Sequence, residues 1–269
     1  MFARTLTPLV AALALLTAAV PARADINMVE VGILPGWRLA DGTYMAALKF
    51  SLEDGWKTYW RAPGEAGIPP LFDWSGSHNL ADVAVEWPTP QQTVTNGMRT
   101  IGYEHDLVLP VRLTPVRPDQ PILLDVDIEI GVCSDVCVPV TVDVAQELPL
   151  NQGRPDPQIA AALAARPYTA AEAGVGRVVC RMVPIEGGMR LLAEVDMPVM
   201  GRGELVVVET DNPGLWVAQA ESSRSGNRLS AETEIYHVEG RGFMLNRAGL
   251  RLTILSSGDA VDIRGCPAA

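Results

Sequence analysis

The sequence predicts an all-β protein: two β-sandwich domains joined by a short helical linker. Three observations carry that prediction. Apolar and polar residues alternate in many short runs. Gly, Pro, Asn and Asp bound those runs. Only one segment shows the Ala-rich composition of a helix. Period-two alternation over runs this short reads as half-buried antiparallel strands, and many such strands separated by turns point to sandwiches.

Residues 1–24 stand apart from this pattern. "MFARTLTPLVAALALLTAAVPARA" has Arg4 near its start, an apolar stretch from about Leu9 to Val20, and the small-x-small ending Ala22-Arg23-Ala24. This is the pattern of a secretory signal peptide, with cleavage expected before Asp25. The apolar run is short for a bilayer span, and no cysteine follows it to carry a lipid anchor. The mature chain is then expected in an oxidising compartment, where cysteine pairs persist as disulfides.

From Asp25 onward no stretch approaches the length of an apolar membrane helix, so stable membrane insertion is not expected. The net charge of −11 makes the chain a poor partner for nucleic acid or anionic lipid, both of which need basic surface.

The first domain is placed at 25–150. Its strands include "TYMAALKFSL", "LVLPVRLTPV", "ILLDVDIEIGV" and "VTVDVAQEL". A linker at 151–175 follows. Asp156 before Pro157 can cap a short helix there, and Pro167 should end it. The second domain, 176–269, contributes "RLLAEVDM", "GELVVVET" and "GLRLTILSS".

The chemistry concentrates in four cysteines. Cys180 and Cys266 bracket the second domain, and a bridge between them closes a loop worth about 4–5 kcal/mol in the chain-entropy model. A Cys133–Cys137 ring is worth about 2 kcal/mol. The long loop is therefore the expected structural disulfide, and the short ring the poorer staple.

In "GVCSDVCVPV", residues 131–140, an extended strand would hold Cys133 and Cys137 about 13 Å apart. A bond requires Cα atoms within about 4.4–6.8 Å, so Ser134-Asp135-Val136 must form a tight turn. Val126, Ile128 and Ile130 alternate with acidic residues before the pair, and Val138 to Val144 alternate with Pro139, Thr141 and Asp143 after it. The pair thus sits at a hairpin tip. Parity puts Cys133 in phase with Asp125, Asp127 and Glu129, and Cys137 in phase with Thr141 and Asp143. Without a bulge at Gly131, both sulfurs should lie on the polar face, open to solvent. An accessible small-ring disulfide exchanges readily.

Other readings stay open at this point. A zinc site lacks a second close ligand pair. A copper(I) clip from two thiolates with Met98 is chemically reasonable, because soft ligands suit that ion, and a purely structural bridge remains possible. The pair is not the C-x-x-C that opens a thioredoxin helix.

"GWKTYWRAPGEAGIPPLFDWSGS", residues 55–77, concentrates Trp56, Tyr59, Trp60, Phe72 and Trp74. These read either as core aromatics before a Pro/Gly loop or as a loop packed beside the cysteine tip. His78, His105 and His237 are scattered, and "YEHD" reads as a solvated turn. No nucleophile elbow, zinc-protease helix or nucleotide loop occurs.

Together, "GWKTYWRAPGEAGIPP", "VEWPTPQQTVTNGMRTIGYEHDLVLPVRL" and "GVCSDVCVPVTV" resemble the amino-terminal periplasmic domain of the DsbD-type disulfide reductases, in the branch of the copper-sensitivity suppressors. The resemblance covers about residues 28–148 well. It implies an immunoglobulin-like domain that carries electrons. A membrane domain reduces its cysteine pair, and the pair then reduces thioredoxin-like periplasmic partners.

By resemblance, Cys137 forms the mixed disulfide and Cys133 resolves it. Asp135, inside the ring, should disfavour the thiolate in the free domain. The family also covers its cysteines with a cap loop bearing an aromatic. The matching segment, Gln91–Ile101, has none before Tyr103, so Met98, or Tyr59 with Trp60, is expected to shield the pair. No membrane reductase domain follows in the sequence, so a separate membrane electron donor is expected. No metal or cofactor is expected.

Overall fold

The computed structural model describes residues 28–95, 97–150 and 153–268; the signal-peptide reading lies outside them.

Ten strands build the first unit: β1 (Val29–Arg38), β2 (Tyr44–Leu52), β3 (Lys57–Gly64), β4 (Leu71–Asp73), β5 (Leu80–Val85), β6 (Gln91–Thr95), β7 (Met98–Glu104), β8 (Leu107–Pro115), β9 (Ile122–Cys133) and β10 (Cys137–Leu148). They form two antiparallel sheets, ordered β1-β2-β8-β5 and β10-β9-β3-β7-β6, with β4 also paired to β9. Strand β9 shows why. Leu124, Val126, Ile128, Ile130 and Val132 are all buried in the core between the sheets, each contributing about 1.5–3 kcal/mol on leaving water. Asp125, Asp127 and Glu129 point to the other face.

Helix α1 (Pro157–Ala164) follows, capped by the Asp156 carboxylate, which accepts from the backbone N–H groups of Gln158 and Ile159. It lies against the first unit: Ile159 packs with Met45 and Ala47 of β2, and the Thr89 N–H donates to the Ala165 carbonyl. This changes the reading of β2. Its alternation suggests one buried face, yet Tyr44 to Leu48 are all buried, because α1 covers the face that would otherwise meet solvent.

The second unit comprises β11 (Tyr168–Thr169), β12 (Val178–Ile185), β13 (Gly188–Asp196), β14 (Leu205–Glu209), β15 (Leu215–Val217), β16 (Glu221–Ser225), β17 (Arg228–His237), β18 (Arg251–Leu255) and β19 (Ala260–Arg264). Its sheets run β11-β19-β18-β14 and β12-β13-β17-β15, with β16 on β17. Cys180 and Cys266 are both buried and bonded, with Cα atoms 5.6 Å apart. Their bond ties β12 of one sheet to the chain that leaves β19 of the other. The whole is therefore an all-β, double-sandwich architecture with one described helix.

The units share a packed interface. Leu205 of β14, Leu255 of β18 and Ala260 of β19 join the core cluster of the first unit. Arg61 crosses from β3 to place Nε 2.8 Å and Nη2 3.0 Å from the two carboxylate oxygens of Glu209. The Gln92 amide donates to the Gly203 carbonyl. Among the described residues, no helix is long and apolar enough to cross a membrane.

Candidate functional site: a shielded hairpin disulfide

Strands β9 and β10 pair without a register break from Ile122↔Leu148 to Cys133↔Cys137. The two cysteines face each other at the tip, their Cα atoms 4.1 Å apart, and are bonded. Ser134, Asp135 and Val136 make the connecting turn, all exposed, with the Ser134 N–H donating to the Val136 carbonyl.

Both cysteines lie on one face of the ladder, as their parity predicts, but they are not both open to solvent, as parity alone implies. Cys137 is exposed, whereas Cys133 is only 1% accessible. The polar face of the ladder ceases to be a solvent face at its cysteine end, where β3 lies beside it. Lys57 pairs with Cys133 and Thr58 with Val132, which sets Tyr59 next to Gly131.

Tyr59 is the cover. It is 2% accessible, and its phenol O–H donates to Cys133 Sγ at 2.8 Å and lies 3.3 Å from Cys137 Sγ. Two glycines make room for the ring. A Cβ on Gly131 would sit 3.1 Å from Tyr59 Cδ2 and 2.7 Å from Ile68 Cβ; one on Gly67 would sit 2.9 Å from Tyr59 Cδ1. Gly131 therefore hosts no bulge. It is the floor on which the tyrosine and Ile68 rest. Burial raises the Tyr59 phenol pKa above its ordinary value, so the group stays a protonated donor.

Period two separates the neighbours of Tyr59. Trp60 points the other way, into the core at 0% accessibility, so it does not shield the sulfurs. Its ring instead carries the Arg61 guanidinium, Cζ 3.9 Å from the centroid. Tyr103 also lies in the core; its hydroxyl donates to the Pro88 carbonyl, its ring stacks on Trp87, and burial pushes its pKa well up. Met98 is 50% exposed at the tip of the β6–β7 hairpin, paired with Thr95. It stands six residues, about 20 Å of strand, from Glu104, which pairs with the Lys57 beside Cys133. The cap assigned to Gln91–Ile101 is thus absent from the sulfurs. Tyr59 covers them instead, with Gly67 of the β3–β4 connection against its ring and Ile68 beside it over Gly131.

The sequence offers a signal for this substitution. Both glycines fall within or beside the quoted motifs, and residues 55–77 allow a loop beside the cysteine tip. The partner of Arg61, Glu209, carries no local signal at all. His105 sits in an exposed turn with φ of 63°. Among the described residues, no group of three or more His, Cys, Asp or Glu side chains is placed to hold a metal ion.

Chemically, the arrangement offers one approachable sulfur, one shielded sulfur, and a phenol donor on the shielded one. Comparison with known proteins agrees with that chemistry. Residues 30–149 match the family model "Thiol:disulfide interchange protein DsbD, N-terminal". No curated protein matches the chain in sequence. Among solved structures, the N-terminal periplasmic domain of ScsB from Proteus mirabilis is similar in fold. The TM-score is 0.60 at 21% identity, covering 90% of this chain and 92% of that one. A protein of unknown function from Porphyromonas gingivalis W83 aligns over 88% of this chain and 99% of its own at 14% identity, but with a TM-score of 0.20 it carries no weight. Residues 30–149, the first sandwich, are thus a DsbD amino-terminal domain, of a family of thiol–disulfide interchange.

Proposed function

We propose that this protein is a periplasmic electron carrier that passes reducing equivalents between a membrane donor and thioredoxin-like partners through Cys133 and Cys137. The observation that carries the reading is the asymmetry of the pair: an exposed Cys137 joined to a buried Cys133 whose Sγ accepts a hydrogen bond from Tyr59. The signal-like leader and the family match support the compartment.

An incoming thiolate reaches Cys137 Sγ. As the new S–S bond forms, the Cys133–Cys137 bond breaks and Cys133 leaves with the electron pair as a thiolate. The Tyr59 O–H is already aimed at that sulfur, so the developing charge gains a charge-assisted hydrogen bond. A second donor thiolate then attacks the donor-side sulfur of the mixed disulfide. The donor departs as its own disulfide and the pair is left reduced. Delivery runs in reverse. The Cys137 thiolate attacks the partner's disulfide, and Cys133 resolves the mixed disulfide, returning two electrons to the partner and re-forming its own bond. Asp135, exposed in the turn, adds a negative charge near both sulfurs and opposes thiolate formation before the partner docks.

The test is trapping. The Cys133→Ala variant should accumulate a mixed disulfide through Cys137 with a thioredoxin-like periplasmic protein, and Cys137→Ala should not. Trapping by Cys137→Ala alone would reverse the two roles. The competing reading is a copper(I)-binding or non-redox adaptor module. It requires stoichiometric tight copper(I) binding by the reduced chain, or a pair that mild reductant leaves closed.

A further inference from the structure

Between the two sandwiches lies a cavity of about 670 Å³, within the size range of ligand sites. One wall is Ala62, Pro63, Gly67 and Pro69 of the first unit; the other is β14 and residues 216–220. The chemistry of the β14 wall is main-chain rather than side-chain.

Strand β14 pairs only with β18. The Val206 N–H donates to Ser222 Oγ at 2.9 Å, so Val206 turns its backbone groups away from β18. Residues two apart in an antiparallel strand point the same way. The N–H and C=O of Val208 therefore also turn outward, on the cavity side, and have no partner among the described residues. The side chains of Val206 and Val208 go to the core of the second unit, which leaves the backbone edge as the recognition element. On the facing segment, the buried Gln219 Oε1 likewise has no partner among the described residues.

The outward groups left over, the Val206 C=O and the Val208 N–H and C=O, lie between apolar walls and suit another extended main chain, which adds to a sheet edge as a strand. An apolar small molecule would leave those groups unsatisfied. The cleft is also one side chain from the disulfide: Gly67 backs onto the Tyr59 ring, and the Tyr59 hydroxyl touches both sulfurs.

We propose that the cleft takes an extended, apolar-faced segment of the protein that exchanges with Cys137, added as a strand to the free edge of β14. The assignment of this occupant rests on the exchange reading above. The β14 strand is five residues long, about 17 Å, so the segment matched is of that length.

The test uses the full chain and a cysteine-free acetylated octapeptide of alternating Thr and Val flanked by lysines. Controls are the same peptide N-methylated at alternate residues and the apolar dye 1-anilinonaphthalene-8-sulfonate. The plain peptide should shift the Val208 amide resonance saturably and slow its hydrogen exchange at least tenfold. N-methylation should weaken binding at least tenfold, as should Ala218→Phe, which fills the cleft. Equal binding of the N-methylated peptide, or a dye that protects Val208 as well as the peptide does, would overturn the strand-addition site. If Cys133→Ala traps a partner while no peptide reaches Val208, the cleft proposal fails and the exchange reading stands. If the peptide protects Val208 but Cys137 traps nothing, the exchange reading fails and this occupant fails with it.

Discussion

Tyr59 works on the disulfide through a single hydroxyl. Tyr59→Phe keeps the ring on Gly131 and removes the hydrogen bond to Cys133 Sγ. A hydrogen bond to a charged group contributes about 1.5–3 kcal/mol. If about half is realised when the thiolate leaves, reduction by dithiothreitol should slow by about 4- to 12-fold, with the thermal midpoint little changed. An unchanged rate would mean that the hydroxyl does not assist the leaving sulfur. The pH profile has a defined sign: burial raises the Tyr59 pKa, so the donor persists through neutral and mildly alkaline conditions. The wild-type to Phe rate ratio should therefore stay constant up to about pH 10 and shrink only beyond it. Gly131 is the second decisive residue. Gly131→Ala drives a methyl against Ile68 and the tyrosine ring. Overpacking of this kind costs about 1–3 kcal/mol, read as a lower urea midpoint with an unchanged slope. Cys133 of the reduced variant should alkylate faster than in the wild type.

At the scale of the element, the β9–β10 ladder sets the site and carries a charge burden. Asp127 sits opposite Asp143 on β10 and opposite Asp73 on β4. Lost hydration first, then the Asp143 carboxylate, raise its pKa above the ordinary range. A carboxyl raised in the folded state binds its proton more tightly there than when unfolded, so stability falls as pH rises through its titration. Asp127→Asn should therefore raise the melting temperature at pH 7, and the gain should vanish below about pH 3.9, where the carboxyl is neutral in both states. Equal gains at pH 7 and pH 3 would refute this origin. The ladder is also the element most legible in sequence: its alternation and the cysteine spacing give the hairpin and its tip. Strand β2 was less so, since helix α1 covers the face that its alternation exposes.

For the whole molecule, β3 links the disulfide to the second sandwich. Three consecutive residues point three ways: Tyr59 to the sulfurs, Trp60 into the core, and Arg61 across the interface to Glu209. Removing the carboxylate in Glu209→Ala leaves a largely buried guanidinium unpaired, at a cost of about 3 kcal/mol. Arg61→Ala combined with Glu209→Ala should recover part of that loss, because no charge is then stranded. A double variant less stable than Glu209→Ala alone would show that packing of Arg61 on Trp60 outweighs its charge. Opening the Cys180–Cys266 bond by a Cys→Ala pair should cost about 4 kcal/mol, against about 2 for Cys133–Cys137.

The sequence by itself determined the strand-rich class, the capped helix and the hairpin with its cysteine tip, because each depends on periodicity or spacing within a few residues. Parity likewise fixed which face of the ladder the sulfurs occupy. Only the tertiary structure decided what lies over that face. The cover comes from Tyr59 of β3, seated beside Gly67 and Ile68, all more than sixty residues away in the chain. A strand pattern records that a residue leaves its own sheet on one side, but not what packs there. For the same reason, the sequence could propose a shield but not choose among Tyr59, Trp60, Met98 and Tyr103, whereas the fold sets only the Tyr59 hydroxyl against the sulfurs. The Arg61–Glu209 contact and the free edge of β14 exist only because the second sandwich packs against the first.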